Sequence, residues 1–253
     1  MRSLRFLASL VVLTGTVACA SGGSTAMPTF ATTPPPPPVP AVAVASPLMF
    51  TKFLAFGDSL TEGLATPVPS LDRAAFLEVP YPAKLQSLLN AMHPGQQFVV
   101  FNEGVGGERA AQAQARLAAA IDRLEPDVVL LMEGTNDIND MKDDADDLPR
   151  AVAEIGKLIA TARSHGSRVV LSTLPPQRPG SPRAYSPQLV APFNAQLAAL
   201  ARSQGTPLVD VYANITLDLL APDGLHLTAS GNQRLAEIFS EALQRFFSAT
   251  YHH

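Results

Sequence analysis

The sequence predicts an α/β domain of three layers, with a parallel sheet packed between helices. Three observations carry that expectation. From Lys52 onward, short aliphatic runs alternate with longer stretches of helical period. The short runs, such as Val128-Val129-Leu130-Leu131, show no polar alternation, as expected of parallel strands buried on both faces. No repeat of fixed period appears, and the roughly 200 residues after residue 50 suit a single domain.

The elements follow in chain order. Arg2 and Arg5 precede an apolar stretch from Phe6 to about Ala18, and no charged residue appears until Lys52. That is the shape of an export signal over residues 1–18; the stretch is too short for a permanent span, which needs roughly 20 apolar residues. Thr16-Val17-Ala18-Cys19 is similar to a bacterial lipobox, with Cys19 as the lipidated first mature residue, although Thr16 stands where an aliphatic residue is usual. Ala18-Cys19-Ala20 also fits ordinary secretory cleavage. The expectation is an exported bacterial protein, anchored to an envelope membrane through Cys19 or else periplasmic or secreted. Residues 19–50 lack charge and amphipathic period and carry Pro28, Pro34 to Pro38, Pro40 and Pro47, so they read as a linker with a semi-rigid polyproline II segment.

Residues 51–248 then form the domain. Strands are expected at Lys52–Phe56, Phe98–Asn102, Asp127–Met132, Arg168–Thr173 and Pro207–Val211, and helices at Pro82–Met92, Arg109–Leu124, Leu148–Ser164, Leu189–Ser203 and about Ser230–Phe247. Parallel sheets bind ligands at the carboxyl ends of their strands, so the informative residues should follow strands. They do. Gly57-Asp58-Ser59-Leu60 follows the first strand, Glu103 to Glu108 the second and Gly134-Thr135-Asn136-Asp137 the third, while Asp223-Gly224-Leu225-His226 precedes the last helix.

A serine hydroxyl is a weak nucleophile unless a base takes its proton and a third group orients that base. Of the five histidines, only His226 has a carboxylate three positions earlier with a glycine between, so that Asp223 can fold back onto its ring. A capping Asp and a solvated His would give the same spacing. Attack on an ester also builds an oxyanion that needs fixed donors. Gly104-Val105-Gly106-Gly107 offers backbone N–H groups, and Asn136 offers a side-chain amide. Each segment alone would also serve as a plain strand-to-helix turn; together they point to a site.

These four blocks, in this order and over nearly the whole domain, resemble the SGNH, or GDSL, hydrolase family. The resemblance implies a three-layer α/β/α flavodoxin-like fold with a five-stranded parallel sheet. It also implies Ser59 as nucleophile, His226 as general base and Asp223 as its partner. Its oxyanion hole would comprise the Ser59 amide, the Gly107 amide and the Asn136 side chain. Gly107 is chosen by aligning Asn102 and Val105 with the family's second block; Gly106 and Glu108 depart from the usual residues there. Asp58 is expected to be structural.

The expected activity is serine-dependent hydrolysis of carboxylic esters by an acyl-enzyme route, on short- to medium-chain acyl esters, lysophospholipids or thioesters. Two alternatives are deacetylation of a carbohydrate and, remotely, a surface binding protein without chemistry. Leu64 to Pro82 carries apolar residues suited to a lid, whereas Pro175 to Pro192 carries Arg178, Arg183 and Tyr185, suited to a sugar or headgroup. Activity should fall in acid, where a protonated imidazole cannot accept the serine proton.

Other chemistries fit poorly. Thr61 breaks Gly-x-Ser-x-Gly, and Arg109 breaks Gly-x-Gly-x-x-Gly; there is no phosphate loop and no His-Glu-x-x-His zinc motif. Asp137, Asp140, Asp143, Asp144, Asp146 and Asp147 lack the glycine and distal glutamate of a calcium loop. They read as a solvated loop entering a helix, with Asp147 near its positive end. Neither cofactor nor metal is expected. A net charge of -4 argues against nucleic acid as partner, and a single cysteine excludes an internal disulfide framework.

Overall fold

The computed structural model describes residues 45–63, 79–141 and 145–249. The signal segment, Cys19, most of the linker, nearly all of the apolar loop after Leu64, and Asp143 and Asp144 lie outside them.

Five strands form one parallel sheet in the order β2-β1-β3-β4-β5. They are β1 (Lys52–Gly57), β2 (Val99–Gly104), β3 (Val128–Met132), β4 (Arg168–Ser172) and β5 (Leu208–Val209). The expected fold is present. Every residue of β3 is buried, because the sheet is covered on both faces, and full burial of such a side chain contributes about 1.5–3 kcal/mol. The fifth strand is the one marked difference: of Pro207–Val211, only two residues pair with β4. Beyond Val209 the chain turns, with Val211 N–H returning to the Val209 carbonyl at 3.1 Å.

The helices are α1 (Ser59–Glu62), α2 (Tyr81–Met92), α3 (Ala110–Leu124), α4 (Thr135–Asp140), α5 (Leu148–Ser164), α6 (Pro187–Ser203) and α7 (Ala229–Phe247). α2 packs on α7, while α3, α5 and α6 pack in series. This grouping follows from strand order. The step from β1 to β2 runs against the later steps, so right-handed crossovers place α2 on the opposite face from α3, α5 and α6. Tyr81 joins α2 to α7 by stacking on Phe239, with ring centroids 5.1 Å apart. The Tyr81 N–H also donates to Asn232 Oδ1 at 3.1 Å.

Helix starts are chemically legible. Thr228 caps α7 by accepting from the Gly231 N–H at 3.1 Å, and Pro149 occupies the first turn of α5. The sequence places the start of α6 too late, since its Pro187 opens the helix and Pro192 lies within it. The short helices α1 and α4 read as turns in sequence; four and six residues give too little period to register. At the amino edge of the sheet, Leu48 pairs antiparallel with Ser248. Met49 N–H donates to the Phe247 carbonyl at 2.9 Å, and Ala249 N–H to the Pro47 carbonyl at 2.7 Å.

Candidate active site

β1 delivers Gly57 to the carboxyl edge of the sheet, where the chain turns at once into α1. Asp58 caps that helix through Oδ1, which accepts from the Leu60 N–H at 2.9 Å. Ser59 is therefore its first residue, nearly buried at 5% exposure. From the other side, the loop before α7 brings in Asp223 and His226, each 2% exposed.

The three side chains form one hydrogen-bonded chain. His226 Nε2 lies 2.9 Å from Ser59 Oγ, and His226 Nδ1 lies 2.6 Å from Asp223 Oδ2. Asp223 Oδ1 accepts from the N–H groups of Leu225 and His226, both at 3.0 Å, which fixes the carboxylate relative to the ring. With the ring proton on Nδ1, His226 donates to Asp223 and Nε2 accepts from the serine hydroxyl. Such a chain can draw a proton from Ser59 Oγ. His93 and His165 are engaged elsewhere, with Gln244 and Asp122 respectively.

The turn after β2 is attached directly to the serine helix. Val105 N–H donates to the Gly57 carbonyl at 3.0 Å, and Gly106 N–H to Glu62 Oε2 at 2.7 Å. Gly107 has φ +81°, a left-handed conformation that glycine adopts without strain. Its N–H takes no acceptor among the described residues. Gly104 is required for a different reason. A Cβ there would come within 2.0 Å of the Glu62 backbone nitrogen.

The α4 segment closes the same region. Asn136 Nδ2 donates to the Glu108 carbonyl at 2.8 Å, and Asp137 Oδ2 accepts from the Ala110 N–H, the first of α3, at 3.0 Å. The structure thus gathers Ser59, Asp223, His226, Gly107 and Asn136 at one edge of the sheet, whereas Cys19 lies outside the described residues. The helix-capping role of Asp137 and the Glu62 contact escape sequence reasoning, because neither residue type announces a partner so far along the chain.

Buried carboxyls lie behind the serine. Burial pushes Asp58 up to about 6, opposed chiefly by its bond to the Leu60 amide and by the nearby His226. Glu133 is 1% exposed. Burial first, then the like charges of Asp58, Glu108 and Asp137, push its carboxyl well above the usual range, against the pull of Arg116. Burial also raises Asp137. Asp58 supports the turn, as expected, and Glu133 is a buried acid that nothing in the motif pattern singled out.

One expectation for the Pro175–Pro192 loop fails. Arg178 does not face outward: Nη1 donates to the Ala221 carbonyl at 2.9 Å, and Nη2 to those of Leu217 and Leu220 at 2.6 and 2.9 Å. Its own N–H meets the Gly224 carbonyl at 2.8 Å. Arg178 braces the Asp223 loop instead. Tyr185 remains 62% exposed.

The family model for GDSL-like lipase/acylhydrolases matches residues 55–234. An arylesterase of Vibrio mimicus is 25% identical over 197 residues, spanning 76% of this chain and 88% of its own. The native aryl esterase of M. smegmatis superimposes with a TM-score of 0.67 at 21% identity, covering 78% of this chain and all of the other. A carbohydrate acetylesterase from Sinorhizobium meliloti gives 0.66 at 21% identity, with coverages of 78% and 100%. An acetylxylan esterase from Geobacillus stearothermophilus gives 0.61 at 24% identity, with coverages of 79% and 95%. The structural likenesses speak for the shared fold.

Proposed function

The chain belongs to the GDSL-like lipase/acylhydrolase family and is an esterase, and from that premise we propose that it cleaves short-chain carboxylic esters through an acyl-enzyme on Ser59. The hydrogen-bonded run from Asp223 through His226 to Ser59 is the observation that carries this reading. His226 Nε2 takes the hydroxyl proton as Ser59 Oγ attacks the ester carbonyl carbon. Asp223 stabilises the imidazolium that forms. The carbonyl oxygen becomes an oxyanion, met by the Ser59 and Gly107 N–H groups and the Asn136 amide. Collapse breaks the bond to the alcohol, which leaves with the proton from His226. Water then attacks the acyl-serine by the same route in reverse, releasing the acid and restoring Ser59.

A small acyl group is supported by the similar structures named as acetylesterases, and an aryl alcohol by the relatives named as aryl esterases. The acetylesterase likenesses also favour a second reading, removal of acetyl groups from a carbohydrate. Initial rates on p-nitrophenyl esters from acetate to palmitate, alongside acetylated xylan and lysophospholipid, separate these. The short-ester reading expects acetate and butyrate to exceed palmitate by at least tenfold. Preference for xylan over the aryl esters would favour the carbohydrate. Ser59→Ala should abolish turnover of every substrate while the domain stays folded, and activity in that variant would overturn the mechanism.

The proposal extends to placement: export by residues 1–18 and lipidation at Cys19, with residues 20–44 as a stalk and Pro47 to Phe50 belonging to the folded domain. One buried acyl chain anchors marginally and several anchor firmly, at about 0.8 kcal/mol per methylene. Mass spectrometry of the mature N-terminus tests it. A lipid-modified Cys19 is expected, and an unmodified terminus at Ser21 would contradict it.

A further inference from the structure

Arg116 lies on α3, outside the chain from Ser59 to Asp223, yet its guanidinium is engaged along every edge. Nη1 donates to the Glu103 carbonyl at 2.7 Å, and Nη2 to the Gly57 carbonyl at 3.3 Å. Nε meets both carboxylate oxygens of Glu108 at 3.0 Å, and Nη2 bonds Glu108 Oε2 as well. The group also lies over the Phe56 ring, with Cζ 3.9 Å from the centroid.

This single side chain therefore joins three places. Gly57 ends β1 immediately before Asp58-Ser59, Glu103 is near the end of β2, and Glu108 follows the Gly106-Gly107 turn. Glu108 in turn holds Asn136, whose amide it accepts through its backbone carbonyl at 2.8 Å. The Arg116 and Glu108 side chains are only 22% and 10% exposed, so their pairing is less screened than a surface bridge would be.

We propose that Arg116, acting through Glu108, is a positioning residue that aims the Gly107 and Asn136 donors at the oxyanion. This rests on the reading of those two groups as oxyanion donors. A donor is effective only within about 0.5 Å and 10–20° of its productive geometry. Releasing Glu108 frees the carbonyl that fixes the Asn136 amide and slackens the turn that carries Gly107. The loss then falls on the transition state rather than on bound ester. Lysine cannot replace this contact, because it offers one charged nitrogen where the guanidinium offers a planar fork of five N–H donors.

The test is a double-mutant cycle on full-length protein with p-nitrophenyl acetate as probe, with thermal unfolding followed in parallel. Glu108→Gln keeps the side-chain shape and removes the charge; Arg116→Lys keeps the charge and removes the fork. Each should lower kcat about tenfold or more with KM within about twofold. In an Asn136→Ala background, Glu108→Gln should cost markedly less, because its effect runs through that amide. Equal cost in both backgrounds, or unchanged kcat in Glu108→Gln, would overturn the positioning role. Glu108→Gln decides the matter where Arg116→Lys fails to fold. If Asn136→Ala itself keeps wild-type kcat while Ser59→Ala is inactive, the oxyanion reading falls and this proposal falls with it.

Discussion

The Asp223–His226–Ser59 chain and the Val105–Glu108 turn meet at one edge of the sheet, but they are held there by different forces. The first is buried, with each member 5% exposed or less, and its order comes from side-chain hydrogen bonds in a dry environment where such bonds are strong. The second has Val105, Gly106 and Gly107 exposed and is fixed by attachments from elsewhere: the Glu62 carboxylate on Gly106 and the Arg116 pair on Glu108. Moving a proton requires a fixed distance between two side chains, which burial supplies. Receiving a substrate oxygen requires open N–H groups, so rigidity must be supplied from behind.

That contrast is open to test, beginning with the largest effect. His226→Ala should reduce ester turnover by about 10⁴-fold or more. Turnover near wild type in the folded variant would mean that the buried half performs no proton transfer. Asn136→Ala should lower kcat by about 10²–10³, or roughly 2.7–4 kcal/mol, with KM little changed. A variant altered only in KM would move Asn136 from charge stabilisation to substrate binding.

Asp58 sharpens the comparison through pH. Its carboxyl is raised from 3.8 to about 6, so the folded state holds a proton that the unfolded chain has released. The associated stability is present below about pH 4 and is lost as pH rises to about 6, amounting to ~3 kcal/mol. Asp58→Asn keeps an acceptor for the Leu60 N–H and should flatten that slope in denaturant titrations across the window. A slope unchanged by the substitution would show that Asp58 is not its source.

The smallest effect separates the glycine that ends β2 from one in the open turn. Gly107→Ala meets no atom within 4 Å and pays only for its left-handed backbone, about 1–2 kcal/mol. Gly104→Ala drives a methyl into the Glu62 backbone and should displace α1 with Ser59. Calorimetry of the two variants ranks them. Equal destabilisation would mean that α1 yields freely to the added methyl.

Much of this was legible beforehand, for identifiable reasons. The aliphatic runs of β1 and β3 declare buried parallel strands because both faces are covered. Ser59, Asp223 and His226 sit in short local motifs, and Asp58 was readable as a support because its bond spans only two positions. What remained hidden depends on distant residues. Glu62 meets Gly106 across 44 positions and Arg116 meets Gly57 across 59, and nothing in a helical Gln-Ala-Arg-Leu stretch distinguishes a clamp from a solvated arginine. Arg178 misled for the converse reason: a loop arginine suggests a ligand, but the carbonyls of residues 217–221 arrive beside it only in the fold.

The pairing of Leu48 with Ser248 bears on how the molecule can be rebuilt. It sets the two ends of the folded unit side by side at the amino edge of the sheet, while Ser59 lies beyond the opposite edge, a strand of about 20 Å away. A circular permutant that joins these ends by a short peptide and opens in the exposed turn at Gly95 would cut the β1–α2–β2 connection and retain the other three strand crossovers. A partner fused at either end would hang from the edge opposite the serine, leaving the approach to Ser59 clear.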